Sequence, residues 1–326
     1  MLHSFPGFYE TFRCLAGDCP DNCCVGWEVV VDDDTARRYA ALKTPLGRAL
    51  TSSMERDADG DRVIRMLNGH CPFWTEQHLC QVELELGRDG PCATCRKFPR
   101  LTQDYGILVE YGLALSCPEA ARLIFAQQEP WELIQRGELG PLEEAEVDVQ
   151  DMALLLQHRQ QLLALLWDGS VPGRQALRNC LTAGARWDSC GQTAQAMDPE
   201  TTWRKLLEVH RDMEILTKQW GEMLEQAENT PEPARVPDTD ARNLGTYYLY
   251  RYWLQALADL DSVGKLQRLA AAWIVAQRLI GLGYPRLRVY QLYSKEVEHD
   301  DDNVQLLEDA LLDEPSLSLD CLISLV

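Results

Sequence analysis

Cysteines are the residues of this chain whose type and spacing best suit chemistry, because a thiolate is a soft ligand that selects zinc, copper(I) or iron–sulfur clusters. Nine of the twelve cysteines lie within the first 117 residues, and the others are Cys180, Cys190 and Cys321. The nine candidate ligands are Cys14, Cys19, Cys23, Cys24, Cys71, Cys80, Cys92, Cys95 and Cys117. Their spacing predicts a metal centre in the first third of the chain.

Disulfide bonds are the competing use of so many cysteines. Cysteine-dense scaffolds are usually short secreted domains, and the N-terminal sequence MLHSFPGFYETFRC lacks the basic and apolar segments of a signal peptide. The pairs Cys23–Cys24 and Cys92–Cys95 are awkward to bridge internally but suit a shared metal. We therefore expect metal binding in a cytoplasmic protein.

The number of metal centres stays open at this point. Four thiolates suffice for one zinc ion or one [4Fe–4S] cluster, so nine allow two centres, or one centre with buried spare thiols. His70 and His78 flank the Cys71–Cys80 loop. They are either further nitrogen ligands or surface histidines without such a role.

Composition limits the function classes. The 326 residues carry a net charge of −20, which argues against binding a phosphate backbone and favours a cationic or lysine-bearing partner. Alternatively, this net charge serves only to keep the protein soluble. The most apolar predicted helix, residues 266–282, is interrupted by Gln and Arg, so no segment has the roughly 18 apolar residues of a membrane span. We expect no nucleic-acid and no membrane partner.

The elements that must position the cysteines are predicted to be short. They are a strand at residues 27–31, a helix over 35–42 with Asp34 or Thr35 as N-cap, a strand or hairpin at 105–115, and a helix from Pro118. Beyond them, apolar residues recur with the helical period. The expected helices cover 152–166, 203–224, 243–260, 265–282 and 302–312, with a proline-rich loop at 229–237.

The predicted fold class is therefore mainly α. An irregular cysteine-rich metal-binding domain with short strands, residues 1–125, is expected to pack on a helical domain, residues 126–326. The tyrosines of residues 247–252 lie on a predicted helix and are expected mostly to fill its core.

Six sequence blocks resemble the flagellin lysine-N-methylase (FliB) family, which shares a CxxxCC signature with a broader group of iron- or zinc-chelating proteins. The blocks are Cys19-Pro-Asp-Asn-Cys23-Cys24-Val-Gly-Trp27, Cys71-Pro-Phe73, Cys92-Ala-Thr-Cys95-Arg96-Lys-Phe-Pro99-Arg100, Ser116-Cys117-Pro118-Glu119-Ala120-Ala-Arg122, Tyr247-Tyr-Leu-Tyr-Arg-Tyr252 and Tyr293-Ser-Lys-Glu-Val-Glu-His299. The resemblance spans nearly the whole chain. It implies methyl transfer from S-adenosylmethionine to lysines of flagellin, with a protein-bound [4Fe–4S] cluster. Zinc is the alternative metal. The sequence has no glycine-rich turn of the Rossmann type, so S-adenosylmethionine is expected near the cluster.

Lysine methylation requires a group that takes the proton of the ammonium and aromatic rings that stabilise the cationic product. The candidates near the cysteine blocks are Glu119, Tyr105, Tyr111, Trp27 and Trp74. A second candidate is the acidic segment Glu296, Glu298, His299, Asp300, Asp301 and Asp302, which could instead cap the last helix.

Arg96 and Arg100 are the candidates for binding the carboxylate of S-adenosylmethionine, because a guanidinium pairs with a carboxylate in bidentate fashion. Equally, they could bridge acidic residues such as Glu83, Glu85 or Glu119 and so brace the cysteine loops.

The sequence thus favours a protein-lysine N-methyltransferase that modifies a lysine-bearing protein, expected to be flagellin. A non-enzymatic iron- or zinc-chelating or metal-delivery protein would use the same cysteines. A cluster-dependent redox protein is the third hypothesis. Only the methyltransferase should bind S-adenosylmethionine.

Overall fold

The computed structural model describes residues 1–27, 29–58, 60–138, 147–188, 197–229 and 235–326. The protein is mainly helical with some short strands, as predicted. Its contacts divide the chain into two compact units. We term them the helical unit (Met1–Phe12, Thr102–Ser116 and Ala120–Val326) and the thiol unit (Arg13–Leu101 and Cys117–Glu119).

The strands form two sheets. They are β1 (Leu2–Pro6), β2 (Val29–Val30), β3 (Met54–Arg56), β4 (Arg62–Ile64), β5 (Arg100–Asp104), β6 (Leu108–Leu113) and β7 (Leu133–Arg136). One sheet has the order β5-β6-β1-β7, in which β1 is parallel to β6 and antiparallel to β7. The other has the order β2-β4-β3 with antiparallel pairs.

The division of the chain differs from the expected boundary near residue 125. Strand β1 hydrogen-bonds to β6 on one side and to β7 on the other. The first residues of the chain therefore belong to the helical unit and not to the thiol unit. Sequence spacing could not show this, because strand pairing joins residues more than a hundred positions apart.

The thiol unit contains short helices around one apolar core. The helices are α1 (Asp33–Ala41), α2 (Pro45–Ser52), α3 (Gln81–Leu86) and α4 (Ala93–Lys97). The core combines Val29, Val31, Tyr39, Leu46, Leu50, Ile64, Phe73 and Val82 with Cys92, and Cys71 and Cys80 pack against it. Three of the nine ligand candidates, Cys71, Cys80 and Cys92, are thus held by a hydrophobic cluster.

Near the start of this unit, the observed strand is shorter than the predicted one, and the N-cap of the first helix is a different residue. The expected strand is confirmed over Val29–Val30, and Glu28 lies outside the described residues. The N-cap of α1 is Asp32, not Asp34 or Thr35, because the Asp32 carboxylate accepts a hydrogen bond from the Thr35 backbone N–H. An aspartate two residues earlier fits the helix start better, since its side chain can reach the third backbone N–H of the helix.

The helical unit contains most of the helices, including the longest ones. They are α5 (Pro118–Phe125, whose first two residues belong to the thiol unit), α6 (Val149–Leu166), α7 (Gly173–Asp188), α8 (Pro199–Asp212), α9 (Lys218–Gln226), α10 (Asp238–Arg251), α11 (Ala256–Asp259), α12 (Ser262–Gly281), α13 (Arg286–Val297), α14 (Asp301–Asp313) and α15 (Leu319–Leu325). The helices expected at Pro118, 152–166 and 265–282 are confirmed. The helices α7, α13 and α15 were not expected.

The predicted helix over 203–224 is wrong in its continuity. The chain breaks between α8 and α9, where the Thr217 hydroxyl accepts a hydrogen bond from the Trp220 N–H and begins a new helix. The predicted helix over 243–260 ends at Arg251, and a 3₁₀ turn and α11 follow. Part of the proline-rich loop, residues 230–234, lies outside the described residues.

Helix α12 is the buried centre of the helical unit. Its polar side chains are paired: Gln267 donates to the carbonyls of Leu311 and Leu317, and Arg268 binds Glu308 at 2.7 Å. Paired polar groups are compatible with a protein core. Within the described residues, no helix combines the length and apolar character that crossing a membrane requires.

Candidate functional site

Two loops of the thiol unit bring Cys24 and Cys71 together. The Cys71 backbone N–H donates to the Cys24 carbonyl at 2.7 Å, and the Gly26 N–H donates to the Gly69 carbonyl at 3.3 Å. Both glycines have positive φ angles, 93° and 77°, which residues with a Cβ rarely adopt. The Asn22 side chain fixes the first loop by accepting from the Cys24 N–H. The glycines thus let the two cysteine loops run side by side.

The second thiol pair lies at the start of α4. Cys92 and Cys95 are one helical turn apart, and their Sγ atoms are 3.6 Å apart. The Asp32 carboxylate accepts from the Ala93 N–H at 2.9 Å, and the Thr94 hydroxyl donates to the Val30 carbonyl. These bonds anchor the cysteine-bearing turn to the residues before α1.

Arginine and tyrosine side chains hold the loop that precedes Cys92. Arg38 donates to the carbonyls of residues 89–91, and the Tyr39 hydroxyl donates to the Gly90 carbonyl at 3.0 Å. Arg96 donates to the Asp89 and Pro91 carbonyls at 3.2 and 2.7 Å. Arg96 therefore stabilises a cysteine loop by donating to carbonyls, and not by bridging the acidic residues that were one of the two alternatives. The assignment of Arg96 and of the exposed Arg100 to S-adenosylmethionine stays a prediction.

The paired thiols have opposite shifts in pKa. The neighbouring sulfurs of Cys23 and Cys71 raise the pKa of Cys24, while the hydrogen bond from Cys24 lowers the pKa of Cys71. In the same way, Cys95 lowers the pKa of Cys92 to about 7, and Cys92 raises that of Cys95. In each pair the pKa of one sulfur is therefore lowered, which favours the thiolate, the form that binds metals.

The other cysteines of the N-terminal set surround these pairs or lie apart from them. Cys80 is the N-cap residue of α3, and burial raises its pKa. Burial also raises the pKa of Cys19, whereas Cys14 is exposed. Cys117 is buried in the thiol unit. Cys190 lies outside the described residues, and no disulfide joins any of the eleven described cysteines.

The fit of a metal to these residues can be tested on their geometry. Two thiolates on one tetrahedral zinc, each about 2.3 Å from it, are roughly 3.8 Å apart, close to the Cys92–Cys95 separation. The Nδ1 atom of His70, next to Cys71, is buried without a hydrogen-bond partner in the described structure. However, no three Cys, His, Asp or Glu side chains of the described residues are arranged to hold one ion. The pairs fit a soft metal, but they do not converge on one point in this conformation.

The catalytic candidates are divided between the two units. Trp27 and Glu119 belong to the thiol unit, and the Trp27 indole donates to the Cys23 carbonyl at 3.1 Å and packs on Phe98. Tyr105 and Tyr111 belong to the helical unit. Burial raises the pKa of Tyr105, and its hydroxyl donates to Gln103. Burial therefore favours the protonated form of the Tyr105 hydroxyl, and the catalytic assignment of Tyr105 stays a prediction. The other assignments stay predictions.

The acidic segment splits into two parts. Asp300 is the N-cap of α14, with Asp301 and Asp302 in its first turn, which confirms the capping alternative for these three. Glu296 and Glu298 are instead buried.

Glu298 is the centre of a polar cluster that the sequence did not predict. Its carboxylate accepts hydrogen bonds of 2.7 Å from the hydroxyls of Tyr247, Tyr248 and Ser294. Nearby, Ser116 Oγ lies 2.8 Å from His299 Nε2. Three of the family-like sequence blocks thus meet within the helical unit. One feature of the sequence could have indicated this cluster. Its carboxylate and hydroxyl groups all belong to sequence blocks that resemble the lysine-N-methylase family.

The fold and the site define a mainly helical protein with a separate small unit that holds paired thiols. In sequence the chain is 31% identical over 125 residues to flagellar biosynthetic protein FliU of Salmonella muenchen, a match that covers 36% of this chain and 74% of FliU. It is also 31% identical over 125 residues to the lysine-N-methylases of Salmonella typhimurium and Salmonella choleraesuis. The chain belongs to the family of these proteins.

The matched region spans about a third of the length of the two lysine-N-methylases, 31% in each case. No protein-family model matches the chain. No solved structure matches it. The cysteine signature of the broader metal-chelating group stays a prediction.

Proposed function

We propose that this protein is a protein-lysine N-methyltransferase that uses S-adenosylmethionine and modifies flagellin. The observation that carries the proposal is its kinship with proteins named lysine-N-methylase, together with kinship to a flagellar biosynthetic protein over most of that protein's length. The net charge of −20 adds support, since an acidic protein attracts a lysine-bearing partner.

The thiol unit would hold a metal centre in this function. Cys92 with Cys95 and Cys24 with Cys71 are the ligands that their pairing favours, and His70 could replace one sulfur. A [4Fe–4S] cluster and zinc both accept such ligands. The bound centre would cross-link the cysteine loops and so fix their relative positions.

The chemical step is a displacement at the sulfonium methyl. The neutral lysine amine donates its lone pair to the methyl carbon, the carbon–sulfur bond breaks, and its electron pair returns to sulfur. The amine must first lose a proton, and Glu119, in the first turn of α5, is the carboxylate we assign to accept it. The Trp27 ring beside the thiol loops would stabilise the cationic product.

The experiment that tests this proposal combines metal analysis with a methylation assay on anaerobically purified protein. We expect iron and acid-labile sulfide, with about four of each for one cluster, and methyl transfer from S-adenosylmethionine to flagellin lysines. Cys95→Ser should lose both the metal and the activity. Cys180→Ala, a buried cysteine of the helical unit, is the matched control and should keep both.

Other outcomes assign other functions. Stoichiometric zinc without sulfide would make the centre structural. Bound metal without binding of S-adenosylmethionine would support the chelating or delivery protein, and a reversible cluster potential without it would support the redox protein. Full metal content in Cys95→Ser would show that Cys95 is not a metal ligand.

A further inference from the structure

A small aromatic pocket lies in the helical unit. Its volume is about 270 Å³, and its lining residues are His3, Phe5, Tyr9, Glu10, Tyr111 and Arg136. His3 and Phe5 are alternate residues of β1 and therefore project from the same face of the sheet. Tyr111 comes from the adjacent parallel strand β6, and Arg136 from the antiparallel neighbour β7. The sheet thus fixes most of the pocket.

Three aromatic rings stand close to one another in this pocket. The ring centroids of Phe5 and Tyr9 are 5.7 Å apart, those of Tyr9 and Tyr111 are 5.9 Å apart, and those of Phe5 and Tyr111 are 6.4 Å apart. The rings are tilted or perpendicular to each other, not stacked in parallel. At these separations one cation can lie within about 6 Å of all three centroids, the range of a cation–π contact.

The pocket also contains a carboxylate, and a cationic side chain of the protein contacts both this carboxylate and one of the rings. The Arg136 guanidinium lies 5.1 Å from the Phe5 ring centroid, and its Nη2 is 2.8 Å from Glu10 Oε1. The Phe5 ring and the Glu10 carboxylate, which contact this guanidinium, are therefore groups that could also bind an ammonium ion. Arg136 is largely exposed, so its exchange for another cation costs little desolvation.

We propose that this pocket binds an alkylated ammonium group, such as the methylated side chain of a lysine. Several aromatic faces with a carboxylate at the rim are the arrangement that recognises methylated ammonium groups, because each methyl carries part of the positive charge onto a ring. The net charge of −20 favours such a cation over an anion. The proposal rests on the pocket alone and stands whether or not the protein transfers methyl groups.

Calorimetric titration of the full chain tests the proposal with four probes. The probes are a short peptide with trimethyllysine, the same peptide with unmodified lysine, the peptide with the uncharged tert-butyl isostere of trimethyllysine, and choline. We expect the trimethyllysine peptide to bind at least about tenfold more tightly than the isostere, because shape is shared and only charge differs. Preference for the peptide over choline would assign the ligand to a protein lysine, and the reverse would assign it to a free quaternary amine.

Variants of the pocket locate the binding. Tyr9→Ala and Glu10→Gln should each weaken binding of the trimethyllysine peptide about fivefold to tenfold. Tyr9→Phe should keep it, which separates loss of a ring from loss of a hydroxyl. Tyr284→Ala and Glu129→Gln, at sites of the same unit outside the pocket, are the matched controls and should bind normally. Arg136→Gln should tighten binding several-fold, because it removes the competing cation.

Three results would overturn the proposal. The first is no binding of any charged probe at millimolar concentration by a folded chain. The second is equal affinity for trimethyllysine and its uncharged isostere. The third is normal binding by Tyr9→Ala and Glu10→Gln. Weaker binding by Arg136→Gln would contradict the competition between Arg136 and the ligand.

Discussion

Burial sets the protonation of Glu296 in the helical unit. The residue is about 1% exposed, and its carboxylate accepts hydrogen bonds from the Leu216 N–H and the Thr217 hydroxyl. Burial nevertheless dominates and raises its pKa from 4.5 to about 7. Between these two values the folded chain holds a proton that the unfolded chain has released. The free energy of unfolding contributed by this group therefore falls as the pH rises from about 4.5 to 7.

The substitution Glu296→Gln should remove this pH dependence of the free energy of unfolding. We expect the variant to gain stability relative to the parent as the pH rises through this window, by on the order of 3 kcal/mol at most. Urea unfolding at pH 4.5, 6 and 8, followed by circular dichroism, measures the difference. Glu225→Gln, at an exposed position, should give the same difference at every pH. A Glu296→Gln difference that does not change with pH would show that Glu296 ionises normally.

Some roles of individual residues could be predicted from the sequence, and others could not. The roles of Asp300, Asp301 and Asp302 could be predicted, because helix capping depends on neighbours along the chain. The partners of Arg96 could not, since it donates to carbonyls of the loop before Cys92 and not to acidic side chains. A carbonyl has no signature in a sequence. The Glu298 cluster could not be predicted either, because its hydroxyl donors come mainly from a helix that is distant in sequence.

At the scale of elements, a buried ion pair connects β6 to α6. Arg159 binds both carboxylate oxygens of Glu110, at 2.8 and 2.6 Å, and both side chains are less than a tenth exposed. The Arg159 guanidinium also lies 4.7 Å from the Tyr250 ring centroid. If one partner is removed, the other stays as an unpaired buried charge, which costs more than the pair itself contributes.

Arg159→Met should therefore lower the free energy of unfolding by about 3–5 kcal/mol. The double variant Glu110→Leu with Arg159→Met should recover most of that loss, because no charge stays buried. Arg204→Met, which breaks the exposed pair with Glu200, is the matched control and should cost less than about 1 kcal/mol. Urea unfolding curves give all three values. Equal costs for the single and double variants would show that packing and not charge governs this contact.

Helices with a clear apolar period were predictable as elements, and the pairing of strands was not. The expected positions of α6 and α12 agree with the structure because burial of one face, or of a whole helix, leaves a pattern in the sequence. The break between α8 and α9 depends on one threonine cap within a continuous apolar stripe. The aromatic pocket depends on the pairing of β1 with β6 and β7, and no local pattern encodes which strands become neighbours.

The whole molecule carries a charge that should control its encounters. With 51 acidic and 31 basic residues, its net charge of −20 attracts a lysine-rich protein over distances longer than a direct contact. Salt shortens this range, since the Debye length is about 10 Å at 0.1 M ionic strength and 3 Å at 1 M. The rate of association should therefore depend on salt more strongly than the rate of dissociation, because electrostatic steering acts before contact.

We expect the association rate of a lysine-rich flagellin fragment to fall about tenfold between 0.05 and 0.5 M sodium chloride. Stopped-flow fluorescence measures this rate. A fragment of the same length with its lysines acetylated is the control, and its slower association should hardly change with salt, because the attraction needs both signs of charge. If both fragments associate at the same rate, and salt affects neither, then the net charge of the chain does not attract flagellin. Any binding of flagellin would then depend on short-range contacts alone.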